Sequence, residues 1–140
     1  MSEPTVVVTD TPDPDDVAAI GQGLGAYNHE QTGISDHKPL AVLVKDAAGR
    51  TVGGISGRSS LGLLFLDLVY LPQSMRGGGL GSRLLAAAEE EGRRRGCKRA
   101  VLYTISFQAP EFYKKYGWRV FGEIPCDPPG TSRIFMTKEL

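Results

Sequence analysis

A chain of 140 residues has the length of one compact domain, and 41% hydrophobic with 23% charged residues is an ordinary globular composition. The 16 basic and 16 acidic side chains give a formal net charge of zero, so no overall field would attract nucleic acid or an anionic membrane. Cys97 and Cys126 form no Cys-x-x-Cys or Cys/His pattern, which argues against a metal site and against a disulfide framework.

The sequence carries no targeting or membrane signal. Residues 1–16 are acidic and interrupted by prolines, and they lack the basic and apolar regions of a secretory signal. The longest largely apolar stretch, residues 61–71, contains Asp67 and is too short to span a bilayer. We therefore expect a cytoplasmic protein with a single domain, residues 1–140, and with neither a membrane nor a nucleic acid as its partner.

The first elements are a strand and a helix. Residues 5–9 are rich in β-branched side chains and predict a strand. The apolar spacing that follows predicts a helix from about residue 15, capped by Asp13 or Asp15 and ending at residues 25–28. The polar stretch at residues 28–39, which carries both histidines, is expected to be a substrate-facing loop or a second short helix.

The middle of the chain predicts three strands and a long helix. Residues 40–45 and 51–57 predict an antiparallel hairpin, because the Asp and Gly between them favour a turn. Residues 63–71 are almost continuously apolar, so we expect a strand in the middle of the sheet that is buried on both faces. Apolar residues at helical spacing then predict a helix from residue 80 to about Arg95, capped by Gly96.

The last part of the chain completes an α/β pattern. Residues 99–104 predict a strand, residues 109–116 a short helix, and residues 118–124 and 133–138 two closing strands joined by the Pro-rich segment 125–130. There is no internal repeat and no linker. The fold expected is α/β, with a mixed, mostly antiparallel sheet of about six to seven strands and helices on both faces.

The most informative motif is a glycine-rich run between the predicted central strand and the long helix, Arg76-Gly77-Gly78-Gly79-Leu80-Gly81. Glycines let the backbone approach a ligand closely, and the N–H groups that begin a helix are unpaired, so such a loop binds phosphate or pyrophosphate. The Walker pattern is absent because Gly81 is followed by Ser82 and Arg83, and the spacing of a dinucleotide fingerprint is also absent. A plain turn is the alternative, although four glycines in five positions exceed what a turn needs.

This loop resembles that of the GCN5-related N-acetyltransferases (GNAT), whose motif Arg/Gln-x-x-Gly-x-Gly/Ala is matched by Arg76, Gly79 and Gly81. Residues 109–118 are similar to a second motif of that family, Ala-x-x-Phe-Tyr-x-x-x-Gly-Phe. The resemblance implies a centrally splayed sheet and an acetyl-CoA cofactor, with CoA as a product. The loop would hold the pyrophosphate and the preceding strand would line the pantetheine arm, so the implied cofactor-binding residues are Leu68, Val69, Tyr70, Leu71, Arg76, Gly77, Gly78, Gly79, Leu80, Gly81 and Ser82.

The resemblance also implies where catalysis occurs. Tyr113 stands at the position of the family's general acid, which protonates the departing thiolate, and packing of the helix onto the sheet is its alternative role. Ser106 replaces an asparagine that often contacts the cofactor, so it is a weaker cofactor-binding candidate. The general base stays open, since Asp67 fits a hydrogen-bonding role equally well. Arg83 could approach the phosphates or be solvated.

The function implied is an N-acetyltransferase that acts on a primary amine of a small molecule by direct attack in a ternary complex. Substrate residues in this fold come mainly from the segments that correspond to residues 27–38 and 125–133. Within them His29, Glu30, His37 and Asp127 are candidates, although each is more often a plain surface residue. A non-catalytic acyl-CoA-binding module, a structural protein and acetylation of a protein or peptide amine are the alternatives. Family members frequently pair through their C-terminal strands, which would give a homodimer.

Overall fold

The computed structural model describes residues 2–140, which form two compact units that divide between Ser35 and Asp36. The first unit contains one helix, α1 (Pro14–Thr32). Asp13 caps it by accepting a hydrogen bond from the backbone N–H of Asp15 at 2.8 Å, as predicted. The single-domain organisation stays a prediction.

Two expectations for this first unit are wrong. Residues 5–9 form no strand, and within residues 2–140 no strand pairs with them. The helix also continues past residues 25–28 to Thr32, because a glycine inside a helix costs only about 1 kcal/mol and does not end it. It ends at Gly33, whose φ of 74° is the left-handed conformation that stops a helix.

The second unit is built on one six-stranded sheet in the order β1-β2-β3-β4-β6-β5. Its strands are β1 (Lys38–Lys45), β2 (Thr51–Ser60), β3 (Leu63–Tyr70), β4 (Arg99–Ile105), β5 (Arg119–Cys126) and β6 (Thr131–Glu139). Only the pair β3–β4 is parallel, so the predicted mixed and mostly antiparallel sheet is confirmed, with β3 in its middle.

Two helices share a core with one face of this sheet. They are α2 (Leu80–Arg94) and α3 (Pro110–Lys115), and a short 3₁₀ turn, Gln73–Met75, precedes α2. Leu64 and Leu66 of β3 pack in this core with Leu85 of α2 and Met136 of β6, all of them buried. This shared apolar core holds α2 against the first half of β3.

The pairing of β3 with β4 stops early. It runs from Leu63 opposite Arg99 to Leu66 opposite Leu102, while both strands continue for three or more residues. On its other side β3 carries a bulge that leaves Asp67 without a partner on β2. The expected central splay is thereby confirmed.

The expectation that β3 is buried on both faces is wrong. Leu64 and Leu66 are buried, but Leu68 is 69% exposed and Val69 and Tyr70 are also exposed. These last residues pair with β2 but lie beyond the part of β3 that pairs with β4. Their apolar character therefore suits a surface that can contact a ligand.

We predict that Gly57→Ala lowers the free energy of unfolding by about 1–3 kcal/mol. A Cβ on Gly57 would collide with the backbone carbonyl oxygen of Phe65 at the bulge. Urea denaturation measures the change. Gly25→Ala is the control, because its Cβ meets nothing within 4 Å in α1, and it should be neutral or stabilising by up to about 1 kcal/mol. Equal midpoints for Gly57→Ala and the wild type would contradict this account of the bulge.

Candidate active site

A cleft of about 760 Å³ opens where β3 and β4 lose their pairing. Its walls come from the end of β3, the glycine-rich loop, the end of β4 and α3. The residues that form them include Val69, Tyr70, Leu71, Arg76, Gly77, Gly79, Gly81, Ser82, Thr104, Phe107, Gln108, Phe112, Tyr113, Lys115 and Tyr116.

The glycine-rich loop lines part of this cleft and carries a row of backbone N–H groups without a protein acceptor in the described part of the chain. Within residues 2–140, no protein group accepts a hydrogen bond from the N–H groups of Gly77 to Ser82, and no side chain caps α2. The helical bonding begins with Arg83, whose N–H donates to the carbonyl of Gly79 at 3.2 Å. Gly77 and Gly79 have φ of 84° and 83°, a conformation that only glycine adopts without strain. Free N–H groups at the positive end of a helix form an anion-binding site.

Arg76 ties this loop to the end of β3. Its Nε donates to the carbonyl oxygen of Leu71 at 2.8 Å, and the residue forms part of the cleft wall. Ser82 adds a local bond from its hydroxyl to the carbonyl of Gly79 at 2.9 Å. The loop therefore combines a cation with oriented N–H donors.

Tyr113 lies in the part of the cleft wall that α3 forms. Its side chain is only 6% exposed and packs edge-on against Phe112 and Trp118, with ring centroids 5.3 and 6.1 Å away. Burial raises the pKa of Tyr113 to about 12, so the phenol stays protonated at neutral pH. Within residues 2–140 its hydroxyl bonds to no protein group, which leaves it free to donate a proton into the cleft.

A buried ion pair holds the segment that carries Tyr113. Glu89 of α2 is 4% exposed, and its carboxylate receives a hydrogen bond from Trp118 Nε1 at 3.3 Å and pairs with Lys138 Nζ at 2.6 Å. Lys138 also donates to the carbonyl of Tyr116 at 2.8 Å, and the N–H of Trp118 donates to the carbonyl of Tyr113 at 3.1 Å. Sequence reasoning missed this network, although Glu89 stands at apolar spacing on α2, one turn after a buried leucine.

Four of the predicted cofactor-binding residues do not form the cleft wall. They are Leu68, Gly78, Leu80 and Ser106. The Ser106 hydroxyl accepts a hydrogen bond from the N–H of Ser132 at 3.1 Å, which joins the end of β4 to β6. Gly78 and Leu80 still belong to the row of free N–H groups.

Two further residues in the wall were missed from the sequence. Gln108 accepts hydrogen bonds through its Oε1 from the hydroxyl of Thr104 at 3.1 Å and from the N–H of Ile105 at 2.9 Å. Phe107, its neighbour, is largely exposed. Their position directly before the second family motif was the only signal in the sequence.

The weaker candidates lie elsewhere. Asp67 pairs with Arg58 at 2.8 Å on the sheet face away from the core, and both side chains are well exposed. His29 lies in α1, where its Nδ1 is 3.0 Å from the hydroxyl of Ser35. Residues 28–32 belong to α1, so the expected loop begins only after Thr32.

Two kinds of site are not found. Among residues 2–140, no cluster of three or more His, Cys, Asp or Glu side chains could hold a metal ion. Over the same residues, no helix has the length and hydrophobicity needed to cross a membrane.

We predict that Lys138→Met destabilises the protein by up to about 3–5 kcal/mol, because the buried charge of Glu89 would lose its nearer partner and keep only Arg93, whose guanidinium is 3.7 Å away. The double variant Glu89→Gln, Lys138→Met should recover much of that loss, since no charge is then buried. Urea denaturation measures both. Lys114→Met is the control, because its partner Glu111 is exposed and the change should stay below about 1 kcal/mol. Equal losses in the single and double variants would contradict the role of the ion pair.

Comparison with known proteins gives this arrangement a family. The sequence profile of the Acetyltransferase (GNAT) family matches residues 9–118. An acetyltransferase of Agrobacterium fabrum is 34% identical over 94% of this chain and 96% of its own length. The blasticidin-S acetyltransferase of Streptomyces morookaense is 38% identical over 79% of this chain and 84% of its own.

Solved structures agree with these matches. A crystal structure of an acetyltransferase from Bacillus cereus superposes with a TM-score of 0.77 at 30% identity, covering 96% of this chain and 98% of that one. A crystal structure of a protein from Agrobacterium tumefaciens that is assigned to the same activity superposes with a TM-score of 0.87 at 33% identity. The match covers 97% of this chain and 99% of that one. The resemblance of the two motifs is therefore confirmed. The chain belongs to the GNAT family of N-acetyltransferases, enzymes that take an acyl group from acyl-CoA.

Proposed function

We propose that this enzyme uses acetyl-CoA to acetylate a primary amine of a small molecule by direct attack in a ternary complex. One observation carries the proposal: a single cleft brings the free N–H groups of the glycine-rich loop together with the free hydroxyl of Tyr113. The first can hold a diphosphate and the second can supply a proton. Acyl transfer from a CoA thioester needs both.

The donor set of the cleft fits the cofactor. A diphosphate needs N–H donors and a cation, and the loop from Gly77 to Ser82 with Arg76 supplies them. The part of β3 beyond Leu66 has no strand partner on its β4 side, so its backbone is free to bond the amide groups of a pantetheine arm. Val69, Tyr70 and Leu71 of this wall, with the backbone of Leu68, would line the arm. When bound, the cofactor supplies the acetyl thioester.

Tyr113 would act as the general acid. The acceptor nitrogen forms its bond to the acetyl carbon as the thioester C–S bond breaks, one proton leaves the amine to water, and Tyr113 Oη gives one proton to the sulfur. With its pKa raised by burial to about 12, the phenol is protonated at neutral pH and is a weaker acid than an exposed tyrosine, so its contribution rests on its place in the cleft wall. Water in the open cleft then restores the proton.

Two observations support a small acceptor. The Streptomyces morookaense relative is by its name an acetyltransferase of blasticidin S. The net charge of zero offers no field that would gather a large polyanion. Acetylation of a protein or peptide amine has no comparable observation in its favour.

We predict that Gly79→Val abolishes acetyl-CoA binding, because a branched side chain would fill the space where the diphosphate lies. Isothermal titration with acetyl-CoA measures the affinity. The matched control is Gly49→Val in the turn between β1 and β2. Gly49 has φ of 80° against 83° for Gly79, and neither Cβ would meet an atom within 4 Å, so the backbone strain is equal. Retained affinity in Gly79→Val, or an equal loss in Gly49→Val, would contradict the cofactor site.

We predict that Tyr113→Phe lowers kcat by about 10²–10⁴-fold and leaves the KM for acetyl-CoA nearly unchanged, because only the proton donor is lost. Thiol release with a saturating amine measures both constants. Tyr116→Phe is the control, since it removes a hydroxyl from the same wall but not the proposed acid. If Tyr113→Phe kept the wild-type kcat, Tyr113 would not be the general acid and its role would be packing alone.

A further inference from the structure

The sheet has a second surface at the gap, on the side away from the cleft. Beyond the last paired residues, Leu66 and Leu102, the next positions on the two strands are Asp67 and Tyr103. Successive side chains of a strand point to opposite faces, and Thr104 lines the cleft. Tyr103 and Asp67 therefore flank the same gap from the opposite face.

This surface carries a row of aromatic rings. Tyr103 lies directly opposite Phe135 in the pairing of β4 with β6, and their ring centroids are 5.6 Å apart. Phe121 of β5 continues the row, 6.2 Å from Phe135. Tyr103 is 49% exposed and Phe121 is 56% exposed, so the row offers ring surface to solvent rather than filling a core.

A fixed polar edge bounds the row on the β3 side. Arg58 donates to both carboxylate oxygens of Asp67, at 2.8 and 3.0 Å. Its guanidinium also lies 4.2 Å from the centroid of the Phe65 ring. The positive charge of Arg58 and the negative charge of Asp67 neutralise each other. The surface beside the gap therefore offers a ligand mainly aromatic rings. Such rings favour planar unsaturated groups in offset or edge-on contact.

We propose that Tyr103, Phe135 and Phe121 form the acceptor subsite, and that it takes a planar unsaturated ring whose primary amine is carried a few bonds away. The inference rests on the proposed function, because it names the acceptor of that same reaction. A ring packed on Tyr103 would lie beside the gap between β3 and β4. The next residue of β4, Thr104, lines the cleft on the opposite face of the sheet. A short linker then lets the amine reach through the gap while the ring stays on the aromatic row.

The test compares 2-phenylethylamine with 2-cyclohexylethylamine, which have the same linker and differ in the flatness and π-character of the ring. For the wild-type enzyme we expect kcat/KM to favour the phenyl compound by about tenfold. In Tyr103→Ala and in Phe121→Ala this preference should fall to about one. The control is Leu43→Ala, an exposed apolar residue of β1, three strands from β4 in the sheet order. It should keep the full preference, and all the variants should bind CoA as the wild type does.

Two results overturn different parts of the account. If the enzyme acetylates amines of a wider panel but does not discriminate between the two ring compounds, or if Tyr103→Ala and Phe121→Ala keep the preference, the aromatic subsite is wrong. If the wild type binds CoA and releases no thiol with any amine, the proposed function is wrong, and the subsite falls with it.

Discussion

Hydrogen bonding between β3 and β4 stops at Leu66 and Leu102, and the rest of the site depends on this limit. Two parallel strands that remained paired would leave no cleft between their ends. The bulge at Asp67 accompanies the separation on the β2 side, and Gly57 permits the close approach that the bulge requires. The backbone of β3 beyond this point has polar groups without a strand partner. A ligand that satisfies them gains the hydrogen bonds that the sheet gives up.

Helix α2 contributes to both functional parts of the cleft, the anion-binding loop and the segment that carries Tyr113. The N–H groups of its first turn and of the glycines before it have no acceptor among the described residues of the protein, so they are available to a ligand. About two and a half turns further along α2, on its buried face, Glu89 bonds to Lys138 and Trp118, and these fix the segment of Tyr113. The anion-binding end and the proposed proton donor are thus positioned by one rigid element. A change in the packing of α2 would disturb both at once.

The sequence predicted the elements whose signals are local. The apolar strand at residues 63–71, the glycine-rich loop and the helix after it were all found because spacing and glycine content report the backbone directly. The strand predicted at residues 5–9 was wrong, since β-branched residues do not form a strand without a partner to pair with. The exposed end of β3 was also misread, because an apolar run looks the same whether protein or ligand is to cover it.

What the sequence could not reveal are contacts between distant positions. Glu89 and Lys138 are far apart along the chain, and the packing of α2 against the sheet brings them together. Tyr103 and Phe121 are also distant in sequence, and the strand order β4-β6-β5 places both beside Phe135. The most direct test of the account is a crystal structure of the enzyme with CoA. We expect the diphosphate oxygens to lie about 2.7–3.2 Å from backbone nitrogens of the loop between Gly77 and Ser82. A complex with CoA bound elsewhere, or with this corner filled by the protein's own side chains, would contradict it.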